Sequence, residues 1–193
     1  MAIDGYIKSN DLERMVYRKL KEKGITKFDY PINPFELIEN ENIILQEIPF
    51  DDCNIRGMLV HGENVSGILI NANRSLVSKR FIAMHELSHY WFHPKKSKTI
   101  CFEEYSQSRK GAEWQANNAA AYALMPSELL LELYDYCDGN LGYICKELKV
   151  SRDSLSYRLN ELKPSKAPAN NISRGQPDNE LAALEYNWLY GGV

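Results

Sequence analysis

The chain has 193 residues, of which 44% are apolar and 25% charged, enough to bury one core with a small appendage. Its 23 basic and 26 acidic side chains leave a net charge of -3, which argues against a protein that coats nucleic acid or an anionic membrane. The cysteines Cys53, Cys101, Cys137 and Cys145 form no Cys-x-x-Cys pair, and no secretory leader or membrane-spanning apolar run is evident, so reduced thiols and a cytoplasmic location are expected.

Residues 1 to 9 read as loose. Asn10 or Asp11 is expected to cap a helix that places Leu12, Met15, Val16 and Leu20 on one stripe and stops at Gly24. Asn33-Pro34-Phe35-Glu36 combines an N-cap, a proline at the first helical position and a glutamate at the third, opening a short helix to about Asn40. The apolar run 43–48 reads as a strand, and 57–61 and 67–71 read as two more, on either side of a turn at Gly62-Glu63-Asn64. A small antiparallel sheet is the expectation. A free edge of that sheet can hold an extended peptide by main-chain hydrogen bonds, or it can be covered by a loop.

The next helix is expected from Ser75 or Ser78 to just before Pro94. Phe81, Ile82, Met84, Leu87, Tyr90, Trp91 and Phe92 cover nearly its whole circumference, so it is predicted to be central and buried. It carries His85-Glu86-Leu87-Ser88-His89. Residues four apart on a helix lie one above the other, so His85 and His89 can aim imidazole nitrogens at one ion, while Glu86 points to a neighbouring direction as a base for water. The alternative is a pair of core histidines satisfied by carbonyls or hydroxyls, but burying such a group without a compensating cation or network is costly. His93 continues the i, i+4 row but falls beside Pro94, and it is read as a structural or rim histidine.

A catalytic zinc needs three protein ligands and an open position. After a loop over residues 94–110, the helix of residues 111–124, rich in small residues, offers Glu113 in its first turn. Glu113 can reach the ion, or it can be an ordinary first-turn glutamate favoured by the helix dipole. Asn117, one turn later, can accept the outer N–H of a ligand histidine. Tyr122 and His61 are candidate donors to an oxyanion.

Phe81-x-x-x-His85-Glu86-Leu87-x-His89, followed by Glu113-x-x-Ala116-Asn117 and then Leu124-Met125-Pro126, resembles the ImmA/IrrE family of gluzincin-like zinc metallopeptidases over about residues 10 to 163. The resemblance implies one Zn2+ held by His85, His89 and Glu113, with Glu86 as the catalytic general base. It also implies cleavage of a helix-turn-helix repressor that derepresses mobile-element or stress-response genes. Asn117 stands where the family often has Asp, which removes a negative charge beside the site but keeps an acceptor.

Ser127 to Cys137, Leu141 to Leu148 and Ser151 to Leu162 read as three short helices, the last two helix-turn-helix-like. Seven acidic against five basic side chains in this segment make a poor phosphate-binding surface, so packing or substrate docking is preferred to direct DNA binding. A Pro- and Asn-containing linker follows, then an amphipathic segment from Asn179 to Tyr190. The expected fold is α+β: a zincin-like domain over 1–126 with a small sheet and a buried HExxH helix, a helical segment over 127–163, and an appendage over 164–193. The expected activity is a metal-dependent endopeptidase of narrow specificity. The alternative is a regulatory protein that keeps the zinc fold and controls a repressor by binding alone.

Overall fold

The structure, a computed structural model, describes residues 3, 5–52, 54–93 and 111–164. The expected 94–110 loop, the linker beyond Pro164, the segment from Asn179 to Tyr190, Cys53 and Cys101 lie outside these residues. The elements run α1 (Ser9–Glu22), α2 (Pro34–Glu39), β1 (Ile44–Ile48), β2 (Gly57–His61), β3 (Ser66–Asn71), α3 (Leu76–Phe92), α4 (Ala112–Leu124), α5 (Ser127–Tyr136), α6 (Leu141–Leu148) and α7 (Arg152–Leu162). This is the expected α+β arrangement. No helix among the described residues is long and apolar enough to cross a membrane.

One expectation about the sheet is corrected. The strand order is β1-β3-β2, and β2 pairs antiparallel with β3 while β1 pairs parallel with it, so the sheet is mixed. Residues 49–56 carry the chain past the β3 position to the far edge before β2 turns back through Gly62, whose N–H bonds Val65 O at 2.8 Å. The third strand is thus laid between the first two. On β3, Ser66, Ile68 and Ile70 are buried while Gly67 and Leu69 are half-buried, the period of a strand with one face on the core.

That face packs on α3, which is begun by Ser75, whose hydroxyl accepts from Ser78 N. Met84 and Leu87 are fully buried, and α4 packs along the other side of α3 through a run of alanines at Ala116, Ala119, Ala120 and Ala123 that lets the two backbones approach closely. Leu12, Val16 and Leu20 of α1 are buried as the stripe requires. The expected Asn10 or Asp11 cap is absent: α1 starts at Ser9 after Lys8, with no side-chain cap. The Ser9 hydroxyl is turned instead toward Tyr122 and Glu161, 2.6 Å from Glu161 Oε1.

Gly57 opens β2 where it crosses α3. A Cβ there would lie 2.4 Å from Ile82 Cγ2 and 3.3 Å from Glu86 Oε1, so only glycine allows this approach. Ile82 is itself 1% exposed and has nowhere to move. Gly57→Ala is therefore expected to destabilise the fold by about 1–3 kcal/mol, measured by urea unfolding.

Two buried arginines fasten the carboxyl-terminal helices to the core. Arg80 of α3 donates to Ile32 O at 2.8 Å and to Lys149 O at 3.3 Å, holding the turn between α6 and α7. Arg158 of α7 is 1% exposed and pairs with Glu13 of α1 and with Glu161. It also donates to Met125 O at 3.2 Å and to Ser127 Oγ at 2.7 Å, and its guanidinium lies 4.4 Å from the centre of the Tyr122 ring. Burial alone would raise the Glu13 carboxyl, but hydrogen bonds from Ser127, Tyr17 and Arg158, with the Arg158 charge, hold it below its ordinary 4.5. A depressed carboxylate stabilises the fold above its unfolded pKa and stops doing so as pH falls through its folded pKa. Urea unfolding followed downward from pH 4.5 is thus expected to show a shallower loss of stability in Glu13→Gln than in the parent chain.

Candidate metal centre

The helical period of α3 places His85 and His89 one turn apart, and the crossing of α3 with α4 brings the first turn of α4 over them. The Nε2 atoms of His85 and His89 are 3.0 Å apart. Glu113 Oε2 lies 3.4 Å from His85 Nε2, and Oε1 lies 3.2 Å from His89 Nε2. Burial opposes the charged form of the Glu113 carboxyl, but the two imidazoles facing it outweigh that and hold it far below the carboxylate range.

These separations fit one small divalent ion. Two ligands at roughly 2.05 Å from a tetrahedral zinc sit about 3.3 Å apart, close to all three measured distances. The three ligand atoms lie within 4.8 Å of one another. Two neutral imidazoles and one carboxylate are also the donor chemistry of a catalytic site, leaving a net positive ion with room for a fourth partner. His85 and His89 are 0% and 7% exposed while the Glu113 side chain is 29% exposed, so the group is walled in by α3 and open on the Glu113 side.

Glu86 follows His85 on α3 and its carboxylate lies against the Gly57 backbone, beside the metal-binding group and not among its members. Asn117 is buried on α4, one turn beyond Glu113. His93 caps the carboxyl end of α3, its Nδ1 2.9 Å from His89 Nδ1 and its Nε2 2.9 Å from Gln115 Oε1. Burial pushes His93 down to about 4. Sequence reading placed His93 in the correct row but gave it no contact with the site, and it missed Gln115 altogether. The row of histidines at 85, 89 and 93 was the available signal for the first; the second depends on how α3 and α4 cross.

The two oxyanion candidates separate. Tyr122 lies nine residues after Glu113, about 13.5 Å along the axis and half a turn round, on the opposite face of α4. Its hydroxyl bonds Ser9 and Glu161, donating to Glu161 Oε1 at 2.8 Å, which removes it from the site. His61, at the end of β2, bonds Ser66 Oγ through Nδ1 at 3.0 Å and stacks on Tyr90, the residue after His89, with ring centres 6.1 Å apart.

A buried HExxH helix, a glutamate from the following helix and a strand laid across Glu86 define the class: a metallopeptidase fold whose three-residue group can hold a metal ion. The chain belongs to the Peptidase M78 family, the IrrE N-terminal-like domain, which matches residues 38–160. It is 27% identical over 146 residues to Metallopeptidase ImmA of Bacillus subtilis (strain 168), a match covering 75% of this chain and 85% of that one. A solved structure, described as a Mycobacterium tuberculosis transcriptional regulator, shares the fold with a TM-score of 0.55 at 14% identity, over 80% of this chain and 47% of that one. The chain thus spans about half the length of that regulator.

Proposed function

We propose that the chain is a zinc-dependent endopeptidase of narrow specificity, acting in the cytoplasm on a helix-turn-helix transcriptional repressor and so releasing mobile-element or stress-response genes. The observation that carries this reading is the meeting of His85, His89 and Glu113 within 4.8 Å, with Glu86 beside them on the same helix. His85, His89 and Glu113 would hold the ion. Zinc bound there supplies Lewis acidity, polarising a scissile carbonyl and acidifying the attacking water.

The rest of the chemistry belongs to this chain. The Glu86 carboxylate accepts the proton of the attacking water and returns it to the leaving amine nitrogen. Gly57, by lacking a side chain, leaves the Glu86 carboxylate room beside the start of β2. Among the described residues β2 pairs on one side with β3, and its other edge runs from Gly57, beside Glu86, to His61, against Tyr90, where an extended substrate strand can add by main-chain hydrogen bonds. His61 at the end of that edge is the remaining candidate donor to the oxyanion. The expected Asn117 contact is not made: His89 Nδ1 faces His93, and Asn117 Oδ1 and His85 Nδ1 are not hydrogen-bonded to one another.

Residues 1–126 form the peptidase domain in this reading, 127–163 a docking segment fixed to it, and 164–193 an appendage. The buried Arg158, held among Glu13, Glu161 and the Tyr122 ring, favours a packing role for α7 over insertion into a DNA groove. The test is to incubate the purified chain with the repressor encoded beside its gene. A single discrete cut, abolished by a chelator and restored by zinc, is expected. Binding of the repressor with no cut under any metal condition would establish control by binding alone.

A further inference from the structure

We propose that His93 and Gln115 are positioning residues that fix the tautomer of His89, holding the lone pair of its Nε2 toward the metal group from a fixed point in the amino-terminal segment. The inference rests on the metal reading above and extends it to two residues outside the ligand set. Its starting point is a group of unambiguous polarity. The Gly5 carbonyl can only accept, and it lies 2.8 Å from the Gln115 amide, so Gln115 presents Nε2 to it and is left with Oε1 facing His93. Oε1 can only accept, so His93 carries its proton on Nε2.

The His93 Nδ1 lone pair then faces His89 Nδ1 at 2.9 Å, and that contact is a hydrogen bond only if His89 donates. With its proton on Nδ1, His89 is left with the Nε2 lone pair, on the side of His85 and Glu113. Each assignment follows from the one before it. Gln115 is 3% exposed and is rooted in the same helix as Glu113, so the chain of bonds ties one ligand to the element that supplies another. Its outer end is held down as well: Ile3 N donates to Phe92 O at 2.6 Å, seating the amino-terminal segment across the end of α3.

The opposite arrangement, with His93 protonated on Nδ1, would turn the His89 proton onto Nε2 and block that ligand position. Such outer partners hold a ligand ring in place and raise its basicity, and their loss weakens metal binding by about 10–100-fold. His93→Leu removes the acceptor, whereas His93→Asn puts an amide oxygen near the place of Nδ1.

Zinc affinity of the full chain, measured by competition with a chromophoric chelator, is expected to fall about 10–100-fold in His93→Leu and to stay near the parent value in His93→Asn. Thermal melts of the metal-free variants check that both fold. In parallel, 15N NMR of ring-labelled parent protein is expected to show pyrrole-type nitrogen at His93 Nε2 and His89 Nδ1. Undiminished zinc affinity in a folded His93→Leu, equal loss in both variants, or a pyrrole-type Nδ1 on His93 would each overturn the proposal. A parent chain that takes up no zinc at all refutes the metal reading instead, and the NMR assignment of His93 still tests the bond chain by itself.

Discussion

Glu86→Gln is expected to lower the rate of peptide cleavage by about 10²–10⁴-fold while leaving the metal in place, the scale set by loss of a general base. Glutamine keeps the volume and one oxygen of the carboxylate but cannot take a proton from water. Because Glu86 stands beside the group of His85, His89 and Glu113 and is not one of its members, metal content and fold should be unchanged. The measurement is initial rate against one repressor substrate together with metal analysis of the same preparation. A variant that still cuts within tenfold of the parent rate would remove Glu86 from the role of base. Loss of metal along with activity would place it among the ligands.

Arg158→Leu is expected to cost about 3–5 kcal/mol of unfolding free energy, the scale for stripping one partner from a buried ionic network. Glu13 and Glu161 would lose their cation, Met125 O and Ser127 Oγ their donor, and the Tyr122 ring its stacked guanidinium. Urea unfolding reads this directly. Adding Glu13→Gln to Arg158→Leu should cost less than the two separate losses combined, since both act on one network. A loss of under about 1 kcal/mol in Arg158→Leu would make the cluster equivalent to an exposed ion pair. It would also free α7 from α1, reopening a mobile role for the helix-turn-helix-like part.

The contrast between these two sites shows which physical information a linear chain carries. The pair His85 and His89, with Glu86 between them, is readable because a helix has a fixed period and all three residues sit within about 1.1 turns of it. Glu113 is readable only as a first-turn carboxylate; its approach to 3.2 Å from His89 depends on the α3–α4 crossing. The three strands are readable from their apolar runs, but a run of apolar residues looks the same in a parallel and an antiparallel pair. The turn at Gly62 announces the β2–β3 hairpin, while nothing local announces that residues 49–56 pass over to the far edge and leave β1 parallel to β3. Arg158 reads as a surface residue in a polar helix. Its burial is decided by Glu13, 145 residues earlier, which no local pattern can supply. Gln115 is hidden for the same reason, since its partners come from the end of α3 and from Gly5.

Metal content of the purified chain, by native mass spectrometry on the parent, His89→Ala and Glu113→Ala, puts the central claim to the most direct test. About one zinc per parent chain is expected, as for a site with three protein ligands and one open position, and little or none in either variant with the fold retained. A parent chain that binds no metal when zinc is supplied, or a Glu113→Ala chain that keeps its full complement, would contradict the account.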